Sequence, residues 1–154
     1  MLVLVPLVQR ARFAVIAIAA CHVTPGVPDA QADLCSDQAP LAPTFANMQR
    51  LFAGRCTTCH TAGVELDLQP DVSYANLVGR AAPNYSDPVT DESCGGTLVT
   101  PGDPAASYLY QKVSLAQPCA GAQMPRTDIG TSSPLIACAQ LLVHDWIAAG
   151  APND

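Results

Sequence analysis

The run Cys56-Thr57-Thr58-Cys59-His60 is the part of this sequence with the most specific chemistry. Two thiols three positions apart can each add to one vinyl group of a haem, and the adjacent imidazole can then offer a nitrogen to the iron. Cys56 and Cys59 are therefore candidate attachment residues, and His60 is a candidate axial ligand. Other uses of a thiol pair need features this sequence lacks. A zinc site needs a second C-x-x-C or a Cys/His pair at ribbon spacing. A redox dithiol needs the pair at the end of a strand in a βαβ pattern, whereas the residues before Cys56 read as a helix.

Iron held by one imidazole has a second axial position, for which a thioether sulfur is a suitable soft donor. Met124 is the best candidate: Ala122-Gln123-Met124-Pro125 reads as a loop, and Pro125 stiffens the chain beyond it. His144 is the rival, but it falls within a helical pattern, where a surface or packing role is expected. Met48 sits on an apolar stripe and reads as core.

The elements that must position these residues are helical. Pro43-Thr44 opens the first, with Thr44 as N-cap and Phe45, Met48 and Phe52 on one stripe, continuing toward Cys56 and Cys59. Thr61 to Leu68 alternates and suggests a short extended segment along a haem edge. Asp71 to Val78 reads as a short helix capped by Asp71 and stopped by Gly79, and residues 80–97 read as loop. Asp103-Pro104 opens another helix, with Tyr108, Leu109 and Val113 inward and Lys112 solvated. Ser133-Pro134 starts the last one, where Leu135, Cys138, Leu142 and Trp146 form the buried face and Gly150 ends it. That face should pack on the Phe45/Phe52 helix.

The N-terminus reads as an address. Arg10 and Arg12 precede the short apolar run Phe13 to Ala20, which fits a secretory signal and is too short to span a bilayer. Ile18-Ala19-Ala20-Cys21 resembles a bacterial lipobox, in which cleavage precedes a cysteine that is then lipidated; an ordinary signal peptide is the alternative. The expected organisation is a signal peptide over 1–20, a flexible tether over 21–43 and a folded domain over 44–154. The mature protein is expected in the periplasm or at the cell surface, held to the membrane by a lipid on Cys21.

An oxidising compartment changes the reading of the remaining cysteines. Cys35, Cys94, Cys119 and Cys138 would form two disulfides. Of three possible pairings, Cys94 with Cys119 and Cys35 with Cys138 are favoured; a buried free thiol at Cys138 is the alternative. Removing residues 1–20 leaves five basic against thirteen acidic residues, a formal charge of −8. Nucleic acid is thus not an expected partner. A redox partner with a basic docking patch is expected instead. The chain also lacks G-x-S-x-G, H-E-x-x-H and a Gly-rich phosphate loop.

Laid out in order, these pieces resemble the all-α class I cytochrome c fold. Arg55-Cys56-Thr-Thr-Cys59-His60, Tyr74-Ala-Asn-Leu77-Val-Gly79, Pro101-Gly-Asp-Pro104 with Ser107-Tyr-Leu109, Met124-Pro125 and Trp146-Ile-Ala-Ala-Gly150-Ala are similar to the planctomycete-type cytochrome c domain. The likeness covers roughly residues 44 to 152. It implies several short helices around one covalent haem c, His60 and Met124 as axial ligands, and one-electron transfer outside the cytoplasm rather than enzymatic catalysis. The alternatives are a haem enzyme or gas sensor with an absent or displaceable Met ligand, and a surface module whose C-x-x-C is only a disulfide. No proline follows His60 closely, so the carbonyl that usually orients a proximal imidazole has no assignment from sequence.

Overall fold

The structure, a computed structural model, describes residues 34–36, 39–82, 96–127 and 131–154. The expectations placed on residues 1–33, including lipidation of Cys21, and the Cys94 half of the favoured Cys94–Cys119 pairing lie outside the described residues. Within them the fold is mainly helical: α1 (Phe45–Arg55), α2 (Ser73–Leu77), α3 (Tyr108–Ser114) and α4 (Ala137–Ala148), preceded by a small hairpin of β1 (Cys35–Ser36) and β2 (Ala39–Pro40). The hairpin is antiparallel, with Cys35 opposite Pro40.

α1 starts where its sequence says it should. Thr44 is extended and its hydroxyl accepts from the Asn47 N–H at 3.3 Å, satisfying one of the free donors of the first turn. The Asp154 carboxylate accepts a second, the Phe45 N–H, at 2.8 Å. The stripe Phe45, Met48, Leu51 and Phe52 is buried against α4, whose Leu142, Val143, Trp146 and Ile147 are almost fully excluded from water. Met48 is core, as its place on the stripe implies. Phe45 sits edge-on to Tyr74 at 5.0 Å and tilted against Trp146 at 5.8 Å, so one aromatic cluster joins α1, α2 and α4.

α4 begins at Ala137, three residues later than Pro134 suggested, and its N-cap Ile136 offers no side-chain acceptor. Ser133 does not cap it; that serine is engaged elsewhere, as described below. The far end follows expectation. Gly150 adopts φ +93°, and the N–H groups of Gly150 and Ala151 turn back onto the carbonyls of Ile147 and Trp146. This double closure is the Schellman arrangement, which needs a left-handed residue after the helix.

The other short helices also begin late. α2 starts at Ser73 without a side-chain cap from Asp71, and α3 starts at Tyr108. Asp103 does accept from the Ala106 N–H at 3.0 Å, but it closes a separate turn ahead of α3. Isolated bridges pair Val78 with Val99 and Ala81 with Thr97, tying the exit of α2 to the approach of α3.

The stretch ahead of α1 is fastened to the core. Leu34 is buried, β2 packs on α4, and Cys35 is disulfide-bonded to Cys138 across 103 residues. The favoured Cys35–Cys138 pairing is thus present, and the last part of the expected tether belongs to the folded body.

Candidate functional site

The backbone leaves helical geometry at Cys56 (φ −124°, ψ −40°), although its N–H still reaches the Phe52 carbonyl at 2.8 Å. A new turn follows at once. The N–H groups of Cys59 and His60 both donate to the Cys56 carbonyl, at 3.1 and 2.8 Å, closing the five-residue motif on itself. The continuous helix expected through Cys59 is therefore a helix plus one offset turn.

His60 has the clearest geometry. Its Nδ1 lies 3.0 Å from the Leu66 carbonyl oxygen. A carbonyl only accepts, so Nδ1 carries the proton, and the neutral imidazole keeps its lone pair on Nε2. Leu66 is in reach because residues 61–67 loop out and return: the Leu68 N–H donates to the His60 carbonyl at 3.0 Å, and Leu68 is anchored in the core. This stretch is built of turns and bends, not the extended segment its alternation suggested. The orienting carbonyl that sequence left unassigned is that of Leu66.

The two cysteines differ. Cys56 is a free thiol, partly buried and packed against the core. Burial pushes its pKa up to about 12, with the Arg55 guanidinium pulling weakly the other way. Cys59 is engaged in a disulfide, as is Cys119. A thioether at Cys59 can form only from its thiol, so that bond must be reduced before attachment.

Met124 lies partly buried between two supports. On one side its N–H donates to the Lys112 carbonyl at 2.7 Å, and the Lys112 ammonium donates to the carbonyls of Ala120 at 2.9 Å and Ala122 at 2.7 Å. The Tyr108 hydroxyl also donates to Ala120, at 2.9 Å. Lys112 is thus half-buried and bonded, not solvated as the sequence suggested. Desolvation lowers its pKa, helped by the nearby Arg126 charge. On the other side the Ser133 N–H donates to the Pro125 carbonyl at 2.8 Å, and the Ser132 hydroxyl reaches the Gln123 carbonyl at 3.3 Å.

Ser133 also connects the two candidate ligand segments. The Arg55 guanidinium donates to the Ser133 hydroxyl at 2.8 Å and to its carbonyl at 3.2 Å. The residue before Cys56 and the residue after Met124 therefore meet at one serine, across 78 positions of sequence. Ser133 is bonded to Arg55 and Pro125 and does not cap α4.

Several features of this donor set suit a haem. The Nδ1 hydrogen bond of His60 leaves Nε2 as the donor nitrogen, and Cys56 is a free thiol. Arg126 Nε is buried without a hydrogen-bond partner among the described residues, a donor that a propionate would satisfy. No group of three or more His, Cys, Asp or Glu is gathered among the described residues. The rival His144 lies 2.8 Å from the Asp145 carboxylate and 5.3 Å from the Tyr110 ring, as a packing residue would.

Leu66 and the partners of Lys112 escaped sequence reasoning because they act through backbone carbonyls, which carry no residue-type signal, and the Arg55–Ser133 pair escaped it because its members lie 78 positions apart. No protein-family model matches this chain, and no curated protein or solved structure compared with it is similar. Among the described residues no helix is long and apolar enough to cross a membrane.

Proposed function

We propose that this protein is an extracytoplasmic mono-haem c-type cytochrome that carries single electrons. The observation that carries the reading is the Nδ1–Leu66 hydrogen bond of His60 within a C-x-x-C-H turn, which suits ligation of iron through Nε2. Cys56 and reduced Cys59 would hold the haem covalently, and His60 and Met124 would be its axial ligands. Bound haem would supply a one-electron Fe(III)/Fe(II) couple. The chain's part is to orient and exclude: Leu66 fixes the imidazole ring, and α1 with α4 supplies a dry interior behind Cys56. The two supports of the Met124 loop limit its movement. No proton transfer by a side chain is needed. The acidic balance of the chain suits a partner with a basic docking patch, and the lipobox-like Cys21 suits a membrane-anchored lipoprotein.

The test is expression with haem-maturation machinery, followed by denaturing extraction and visible spectra of wild type and Met124→Ala. The expected outcome is a haem that resists extraction, with a far-red sulfur-to-iron band present in wild type and absent from the variant. Covalent haem without that band in wild type would instead indicate an open-site enzyme or gas sensor.

The disulfide at Cys59 favours a second reading, a surface module in which the C-x-x-C-H thiols serve structure alone. Protein that stays free of covalent haem in a maturation-competent host would support that one.

A further inference from the structure

We propose, resting on the His/Met reading above, that Lys112 is the positioning residue for Met124, its ammonium and its own carbonyl together holding residues 120–124 so that the sulfur stays available to iron. Three hydrogen bonds converge on this one side chain and its backbone. The ammonium takes the carbonyls of Ala120 and Ala122, and the Lys112 carbonyl takes the Met124 N–H.

The loop is shaped to permit this. Gly121 lies between the two accepting residues with φ +65°, a left-handed conformation that lets both flanking carbonyls face the same cation. A Cβ at Gly121 would sit 3.2 Å from Nζ, so the ammonium is seated closely against the loop. The Tyr108 hydroxyl adds a second donor at Ala120, and Nζ lies 5.6 Å from the centre of the Tyr108 ring. Placing an ammonium here gives up much of its hydration, and the charged group nearest in effect is another cation, Arg126. The offsetting interactions are the carbonyls of the Met124 loop and the Tyr108 ring. A lysine serving only solubility would keep its head in water. Lys112 therefore holds the loop at three points, Ala120, Ala122 and Met124.

The experiment uses haem-loaded protein carrying Lys112→Met, Lys112→Gln or Lys112→Arg. The readouts are the far-red sulfur-to-iron band, the rate of carbon monoxide binding to the reduced form, and hydrogen exchange at the Met124 amide. In both neutral variants the equilibrium between bound and released sulfur is expected to shift toward release at least roughly tenfold, the scale of a lost charge-assisted hydrogen bond. The band then weakens, carbon monoxide binds faster and the Met124 amide exchanges faster, while haem attachment is unchanged. Lys112→Arg, which keeps charged donors, is expected to retain most of the band. An intact band and an unchanged carbon monoxide rate in either neutral variant overturn the proposal, even if its denaturation midpoint falls. Should Lys112→Met not fold, Lys112→Gln decides. Failure of the underlying reading is distinguishable, because wild type itself would then lack covalent haem or lack the band.

Discussion

Where α1 meets α4, cohesion comes from apolar contact: Phe45 packs between Tyr74 and Trp146, edge-on to the first and tilted against the second, and Met48, Leu51 and Phe52 are almost wholly dry. Around Cys56 and Met124 the chain is fastened instead by polar groups reaching backbone carbonyls, with His60 on Leu66, Lys112 on Ala120 and Ala122, and Arg55 on Ser133. Apolar burial is non-directional and scales with area, so it fixes which faces meet. Carbonyl latches are directional and individually modest, so they fix where a particular atom sits. A molecule built this way keeps its stability in one region and its positional accuracy in another.

The largest expected effect comes from breaking the apolar region. Trp146→Ala removes a side chain with no exposed surface and should destabilise by about 3–5 kcal/mol, read as a lower urea midpoint. Both candidate ligand segments should lose their order together with the fold. Breaking a latch should separate the two properties. Arg55→Met deletes both bonds to Ser133 and is expected to cost only about 1–2 kcal/mol. Amide exchange at Ser133, whose N–H holds Pro125, should nevertheless rise, while the amides of α4 stay protected. Equal loosening of α4 and the Ser133 segment would show that the two regions are not distinct.

The last effect, absent near neutral pH, concerns alkaline pH in the haem-free chain. Cys56 has its folded-state pKa raised from 9.0 to about 12, so the folded chain holds that proton more tightly than the unfolded one. The resulting contribution to stability is fully present below about pH 9 and is lost as pH climbs toward 12. Urea midpoints of wild type should therefore fall more steeply over this window than those of Cys56→Ala. Parallel curves would mean that the thiol is not desolvated by the core.

The same contrast explains what could be read from the amino acids. Thr44 as a cap, the Phe45/Met48/Phe52 stripe, the Leu142/Trp146 face and the stop at Gly150 are all written in residue type and period, and the structure has them. Cys35 with Cys138 was accessible once the compartment was inferred. The start of α4 was misread because Ser133-Pro134 has the composition of a helix start, while Arg55 and Pro125 use the serine in tertiary contacts. Lys112 was read as solvated because its partners are the carbonyls of two alanines, a type of residue that announces nothing. The carbonyl of Leu66 was equally silent, since any residue could present it. The C-x-x-C-H run and Met124 were legible as candidates, but the latches that would make them work together were not.

Ser133 carries one more consequence. A carrier that exchanges single electrons works against the displacement of its ligands each time the charge changes, and that displacement sets part of the activation barrier. With Arg55 and Pro125 both bonded to Ser133, the two candidate ligand segments share one anchoring residue. In the proposed cytochrome this shared pivot would lower the reorganisation accompanying each oxidation and reduction without requiring the protein as a whole to be stiff.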